Sequence, residues 1–261
     1  MWRCWHSMAN ITGEQSGRWG RRKKIRFWLA LAGGLLLLLT LLGIGVWAIE
    51  KGDGTSMHYQ QTDAVLNNPL MGFAPAADSS LAGGDNTLVF LNLTWREWEP
   101  QEGEFDWTGI NQTYHLDQWK AQGKRVVLRF VCDLPGDTAH SDIPDWLYDK
   151  TGDGSYYDIS YGQGYAPDYS NPIFIAAHRQ ALLALSQYLN QDGFLAYVQL
   201  GSLGHWGEWH VKSDAGLPSI PSEAICRQYL AAYQEAFPEA LLLTRRPYAF
   251  AAESGCGVYN D

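Results

Sequence analysis

The sequence predicts an α/β protein of the (β/α)8 TIM-barrel type, incomplete at about six of eight strands and preceded by one N-terminal transmembrane helix. Three observations predict this. Nearly all-apolar runs such as Thr87–Trp95 and Lys124–Cys132 have the pattern of strands buried on both faces. They alternate with helical stretches, which implies parallel strands joined by crossovers. The third is Ile25–Ile49, which carries no charge from Phe27 onward and is long enough to cross a bilayer. Of the 261 residues, 211 follow Glu50. That is ample for one core but short of the roughly 250 typical of a closed barrel.

Taken in order, Met1–Gly20 reads as a disordered tail and Ile25–Ile49 as the span. Lys51–Ser56 (KGDGTS) is a polar, glycine-containing linker. Met71–Ala74 is a short first strand after Asn68-Pro69, and Thr87–Trp95 is the second. Between them, Pro75–Asn86 is too short and glycine-rich for a normal crossover helix. Trp107–Gln122 reads as one helix ended by Gly123, and Lys124–Cys132 as the third strand. Pro172–Asn190 is the clearest amphipathic helix, with proline in its first turn and Gly193 beyond its end. Phe194–Leu200 is the fourth strand, and Ser222–Phe237 a helix with Ser222 as its cap. Leu241–Thr244 and Gly257–Tyr259 complete the count at six.

The formal charge of −9 averages two unlike regions. Residues 1–26 hold seven basic residues and one acid, leaving 12 basic and 27 acidic residues beyond them. A body at −15 repels nucleic acid, which excludes that class of partner. The basic cluster directly before the apolar run predicts a cytoplasmic N-terminus and an extracellular body, anchored in the cell membrane by a single pass. The competing reading is secretion after cleavage near Val46-Trp47-Ala48, although the apolar run exceeds the ~7–15 residues of a usual signal h-region. Cys4, Cys132, Cys226 and Cys256 show no CxxC spacing and read as buried free thiols rather than zinc ligands.

In parallel α/β folds the active site gathers at the carboxyl ends of the strands. The segment Gly201–His210 places His205, Trp206, Glu208, Trp209 and His210 within six residues. Indole faces stack on sugar C–H surfaces, and a carboxyl in a partly apolar pocket can act as a general acid. The bland alternative is a structural Glu208 bonded to backbone amides. A metal reading of His205, Glu208 and His210 lacks the H-E-x-x-H spacing, so no metal and no cofactor is assigned. Glu97, Glu99 and Glu102 read as acids on a solvated loop. Arg129 and Gln199 fall inside strands, which costs energy unless they face a polar interior. A barrel mouth lined for a polar ligand explains them, and so does a buried ion pair of Arg129 with Asp133 or Glu208.

The run Trp95-Arg96-Glu97-Trp98-Glu99-Pro100-Gln101-Glu102-Gly103-Glu104-Phe105-Asp106 resembles the W-x-x-x-E-P-x-x-G-x-(Y/F)-(D/N) signature of glycoside hydrolase family 42. Lys124–Phe130 followed by Pro144-Asp145-Trp146-Leu147 is similar to that group's third strand and its P-x-W-L loop. Asn68-Pro69-Leu70-Met71-Gly72-Phe73 and Gly204–His210 resemble still more a bacterial domain-of-unknown-function family numbered 4832. The resemblance spans roughly residues 67–261. It implies a clan A TIM-barrel glycosidase with Glu208 in the place of the acid/base. Two departures stand out. Those glycosidases have Asn where Gly207 stands, and their nucleophile lies on a seventh strand, beyond the six counted here.

The expected organisation is therefore a cytoplasmic basic tail (1–24), a transmembrane signal anchor (25–49), a linker (50–66) and a partial glycosidase-like barrel (67–261). The expected function is hydrolysis of extracellular glycans with Glu208 as general acid/base. Trp206, Trp209, Trp95 and Trp146 would be sugar platforms, and His205, His210, Arg129, Asp133 and Arg245 polar contacts to sugar. The alternatives are a non-catalytic glycan-binding surface protein and an inactive truncated fragment. Carbohydrate and membrane are the expected partners, with no expectation for oligomeric state.

Overall fold

The computed structural model describes residues 15–50, 70–212 and 215–260. Residues 51–66 of the expected linker, Cys4 and the Asn68-Pro69 motif lie outside them. The chain divides into two units, 1–64 and 65–261. In the first, helix α1 runs Gln15–Glu50, so the tail expected to be disordered is helical from Gln15. Its segment Lys23–Ile44 has a mean hydropathy of 2.3 and is long and apolar enough to cross a bilayer.

The second unit is built on a five-stranded parallel sheet. Strand β1 (Leu88–Thr94) ends in the capping box of α2 (Trp95–Trp98), with Thr94 and Glu97 satisfying each other's backbone N–H groups. Helices α3 (Trp107–Tyr114) and α4 (Leu116–Ala121) precede β2 (Arg125–Val131), and α5 (Asp145–Thr151) follows it. Next come a hairpin of β3 (Ser155–Ile159) and β4 (Gly162–Ala166), then α6 (Pro172–Leu189) and β5 (Leu195–Gln199). Helix α7 (Glu223–Ala236), β6 (Leu241–Thr244), α8 (Ala249–Glu253) and β7 (Gly257–Val258) complete the order. The sheet order β1-β2-β5-β6-β7 follows the chain, with every pair parallel. Sequential parallel order with helical crossovers is that of a β/α barrel, whereas a doubly wound sheet reverses direction at a switch point.

Alternation along the strands makes two faces. Val89, Leu91 and Leu93 of β1 and Val126, Leu128 and Phe130 of β2 join the main core with Phe174, Leu182, Leu185 and Leu189 of α6. On the opposite face Leu88 and Val127 pack with Ala196 under Leu70, Ala74 and Phe90.

Three expectations need correction. Met71–Ala74 is not a strand: Met71 and Phe73 are exposed, Gly72 has φ +104°, and pairing shrinks to one parallel bridge between Ala76 and Phe90. The helix expected over Trp107–Gln122 is broken at His115, which adopts φ +56° because the Asn111 side chain clasps the Asp117 backbone N–H and carboxylate. Ser222 sits at the start of α7, but its side chain makes no capping bond. Among the described cysteines, Cys132 and Cys226 are buried free thiols and Cys256 is half-buried and free. Burial pushes the Cys226 thiol up to about 11, which suppresses its thiolate at neutral pH.

Candidate functional site

Because the strands are parallel, the segments after β2, β5 and β6 emerge at one end of the sheet. After β5 the chain folds tightly on itself. His205 N–H donates to His210 O at 3.0 Å, Trp209 N–H to Leu203 O at 2.8 Å, and Glu208 N–H to His205 O at 3.0 Å. Gly204 (φ +74°) and Gly207 (φ +69°) permit this course. A Cβ on Gly207 would lie 1.9 Å from Gly201 O, and one on Gly204 would lie 2.3 Å from His210 O. Trp206 (φ +53°) and Trp209 (φ +58°) also occupy the left-handed region, which is uncommon for aromatic residues and held here by the surrounding bonds.

The loop is fastened to the end of β2 through Asp133, which is fully buried. Its backbone oxygen accepts from Trp206 N–H at 2.8 Å. Its carboxylate accepts from His205 Nδ1 at 2.8 Å and from the Tyr157 hydroxyl. Burial raises the Tyr157 pKa, and the nearby Asp133 charge adds to the effect, so the phenol stays a donor. This network assigns the proton to His205 Nδ1 and leaves Nε2 buried without a hydrogen-bond partner. Beneath the loop, His178 Nε2 lies 2.6 Å from Ser202 Oγ, which lies 2.6 Å from Tyr233 Oη. Burial alone lowers His178 to about 3, so the ring is neutral and serves the foundation of the loop.

Glu208 is partly open at the surface. Its Oε1 stands 3.7 Å from Arg245 Nε and its Oε2 stands 3.6 Å from His210 Nδ1, distances of ion pairing rather than direct hydrogen bonding. Burial lowers the His210 pKa, and Arg246 and His205 push the same way against the Glu208 charge. Trp206 is half-buried and lies 5.2 Å from the Tyr161 ring. Tyr161 also faces His205 at 5.8 Å and His210 at 6.1 Å. Thus His205, Trp206, Glu208, His210 and Arg245 are brought together, and Asp133 underpins them.

Other expected site residues are elsewhere or enclosed. Trp95 is fully buried, donates Nε1–H to Glu99, and packs against Phe130 and Phe174. Trp209 is 2% exposed and donates to Leu200 O. Trp95 is wholly enclosed and Trp209 shows only a sliver of its surface, so both are corrected from sugar platforms to core. Trp146 is half-buried, but it lines shallow depressions with Glu102, Ala177 and Gln180 and donates to Glu99 O. Arg129 is buried on β2, donates to Gln199 Oε1 at 2.5 Å, and lies between the Phe90 and Tyr259 rings at 5.2 and 4.9 Å. Glu99 is not solvated: it accepts from Trp95 Nε1 and Gly103 N–H, and burial raises its pKa against both bonds. Among the described residues no group of three or more His, Cys, Asp or Glu side chains is arranged to hold a metal ion.

Sequence reasoning missed Tyr157 and Tyr161, which arrive on the β3–β4 hairpin. The hairpin is docked on the segment after β2 by reciprocal backbone bonds of Gly136 and Gln163 at 2.9 and 2.7 Å. The signal was the run Ser155–Ala166, rich in tyrosine with glycines at 162 and 164, which is strand-prone on either side of a two-residue turn.

A cleft of about 540 Å³ opens beside this cluster, lined by Tyr161, Trp209, His210, Lys212, Ile220 and Arg246 among others. The solved structures similar to this chain are glycoside hydrolases. An exo-β-1,4-mannosidase from Opitutaceae bacterium strain TAV5 is 21% identical, with a TM-score of 0.42 over 61% of this chain and 25% of that one. Endo-glycoceramidase II from Rhodococcus sp., in its ganglioside GM3 complex, is 14% identical, with a TM-score of 0.47 over 76% and 55%. A psychrophilic family 10 endo-β-1,4-xylanase is 18% identical, with a TM-score of 0.39 over 65% and 48%. The chain thus spans between a quarter and about half of the length of these proteins. No protein-family model and no curated protein matches it.

The segment after β2 carries a pH-sensitive clasp next to the site. His140 Nδ1 lies 2.6 Å from Thr138 O and Nε2 lies 2.9 Å from Leu134 O, with Asp142 3.5 Å away. Both bonds form only when both nitrogens carry protons. The bond to Thr138 O, aided by Asp142 and Leu134 O, raises the His140 pKa despite partial burial. A raised folded-state pKa contributes stability that is complete below the unfolded value of about 6.5 and is lost as pH rises through the folded value. Melting wild type and His140→Ala from pH 5.5 to 8.5 should show a gap that is widest at acid pH and narrows upward. A gap that is constant, or grows with pH, would refute the clasp.

Proposed function

We propose that the protein is a membrane-anchored glycoside hydrolase of the barrel type, related to the family 42 and 4832 groups, acting on extracellular glycans with Glu208 as general acid. The basic residues before the span would hold the N-terminus on the cytoplasmic side. What carries the reading is the setting of Glu208. It lies beyond the carboxyl end of a parallel strand, 21% exposed, beside Arg245 and His210 and on the loop that also carries half-buried Trp206. A carboxyl so placed can protonate a glycosidic oxygen, while indole and phenol faces hold the ring.

A second reading, glycan binding without hydrolysis, is favoured by Asp133. It is the other carboxylate among the expected site residues, and it is fully buried and committed to His205 and Tyr157, so it is not a nucleophile. The test is a panel of aryl glycosides with wild type and Glu208→Gln. Turnover by wild type should fall by about 10²–10⁴ in the variant, the range for loss of a general acid, with an unchanged melting transition. Equal turnover would remove the assignment. Binding of glycans with no release of reducing sugar would select the second reading.

A further inference from the structure

The cleft beside the site has a charge unlike the rest of the body. Beyond residue 26 the chain has 27 acidic and 12 basic residues, yet Lys212 and Arg246 both line this one opening and Arg245 stands next to it in sequence. Glu208 is set against Arg245 and His210. Arg246 is exposed and has no ion pair among the described residues. Lys212 Nζ is steered to the rim by Ser160 Oγ at 3.1 Å and lies 5.5 Å from the Tyr161 ring centroid. Tyr161 itself is 42% exposed, so one face of a π system borders the cations.

An acidic body repels anions at long range, so cations clustered at a single concave opening create a local reversal of the field that a neutral ligand does not require. A guanidinium presents paired N–H donors that match the oxygens of a carboxylate or sulfate, and a phenol face accepts the C–H surface of a sugar ring. We propose that this cleft binds an anionic saccharide, its ring against Tyr161 and its carboxylate or sulfate ester on Arg246 and Lys212. The inference rests on the glycan reading of the same site and names the class of glycan.

The test uses the full chain in detergent micelles and calorimetric titration with three probes: tetragalacturonate, its fully methyl-esterified form, and a sulfated disaccharide. The ester keeps the sugar and removes the charge. Tetragalacturonate should bind at least about tenfold more tightly than its ester, as expected for loss of charge-assisted bonds, and more weakly as salt rises. Arg246→Gln and Lys212→Gln should each weaken it by about tenfold with unchanged melting, and Tyr161→Ala should weaken binding of the acid as well. Binding of the sulfated probe alone assigns the anion as sulfate and supports the proposal. Equal affinity for acid and ester, no binding of either anionic probe, or full affinity in Arg246→Gln overturns it. These measurements need no turnover. An inert protein that binds the acid over the ester keeps the inference and loses the hydrolase, whereas cleavage of neutral glycosides without charge preference does the reverse.

Discussion

Gly207→Ala is expected to be among the most damaging single-atom additions in the molecule. The added Cβ would stand 1.9 Å from Gly201 O, and backbone at that distance has no flexible end to swing aside. The position also has φ +69°, which costs an L-residue about 1–2 kcal/mol before any clash. Forced shifts in a packed interior add about 1–3 kcal/mol. The sum, about 2–5 kcal/mol, is a large share of the ~5–15 kcal/mol that holds a typical domain together. A fall in Tm of roughly 10 °C follows for a domain of this size. Gly255→Ala is the control, because Gly255 has φ +81° and nothing within 4 Å of a Cβ, so it carries strain without crowding. If the two variants melt together, the close crossing of the loop at Gly201 is wrong.

The same position bears on the proposed chemistry. The glycosidases that the sequence resembles have Asn before their acid/base glutamate, and a side chain there requires a different backbone path. Gly207 is therefore tied to the self-crossing loop that presents Glu208. A single letter in the sequence signals a departure, and the distance to Gly201 O says why this loop has no room for a side chain there.

Legibility followed the same divide. Strands β1, β2 and β5 and helix α6 were readable because continuous burial leaves long apolar runs or a clean helical stripe. Met71–Ala74 misled because Met71 and Phe73 are apolar yet exposed, and hydrophobicity alone cannot say which apolar residues find a partner. The hairpin that brings Tyr157 and Tyr161 was unread because its tyrosines and glycines fit loop and strand alike. At the site, residue types were legible and accessibility was not. An indole that stacks on sugar and one that fills a core are the same letter, and Trp95 and Trp209 proved to be the second kind. Glu99 differs from a solvated acid only through Trp95 Nε1 and Gly103 N–H, which are set by the turn after α2.

Asp133→Ala is expected to have an effect comparable to that at Gly207, through lost bonds rather than crowding. Its carboxylate is the common acceptor for His205 Nδ1 and the Tyr157 hydroxyl, and all three meet where solvent does not reach the acid or the imidazole. Removing it leaves two buried donors unpaired, at about 1–3 kcal/mol each, so a loss of about 2–6 kcal/mol is expected. Tyr157→Phe removes one donor and should cost less, about 1–2 kcal/mol. Once Asp133 is gone the Tyr157 hydroxyl has nothing to donate to, so deleting it as well should recover part of the loss. The double variant should therefore fall short of additivity by about 1 kcal/mol or more in denaturant unfolding. Indole fluorescence should change with it, because Trp206 N–H is bonded to the Asp133 backbone and the loop moves when that anchor loosens. Additivity within about 0.5 kcal/mol would mean that the two side chains act independently. It would also mean that the loop carrying Glu208 is held by something other than the end of β2.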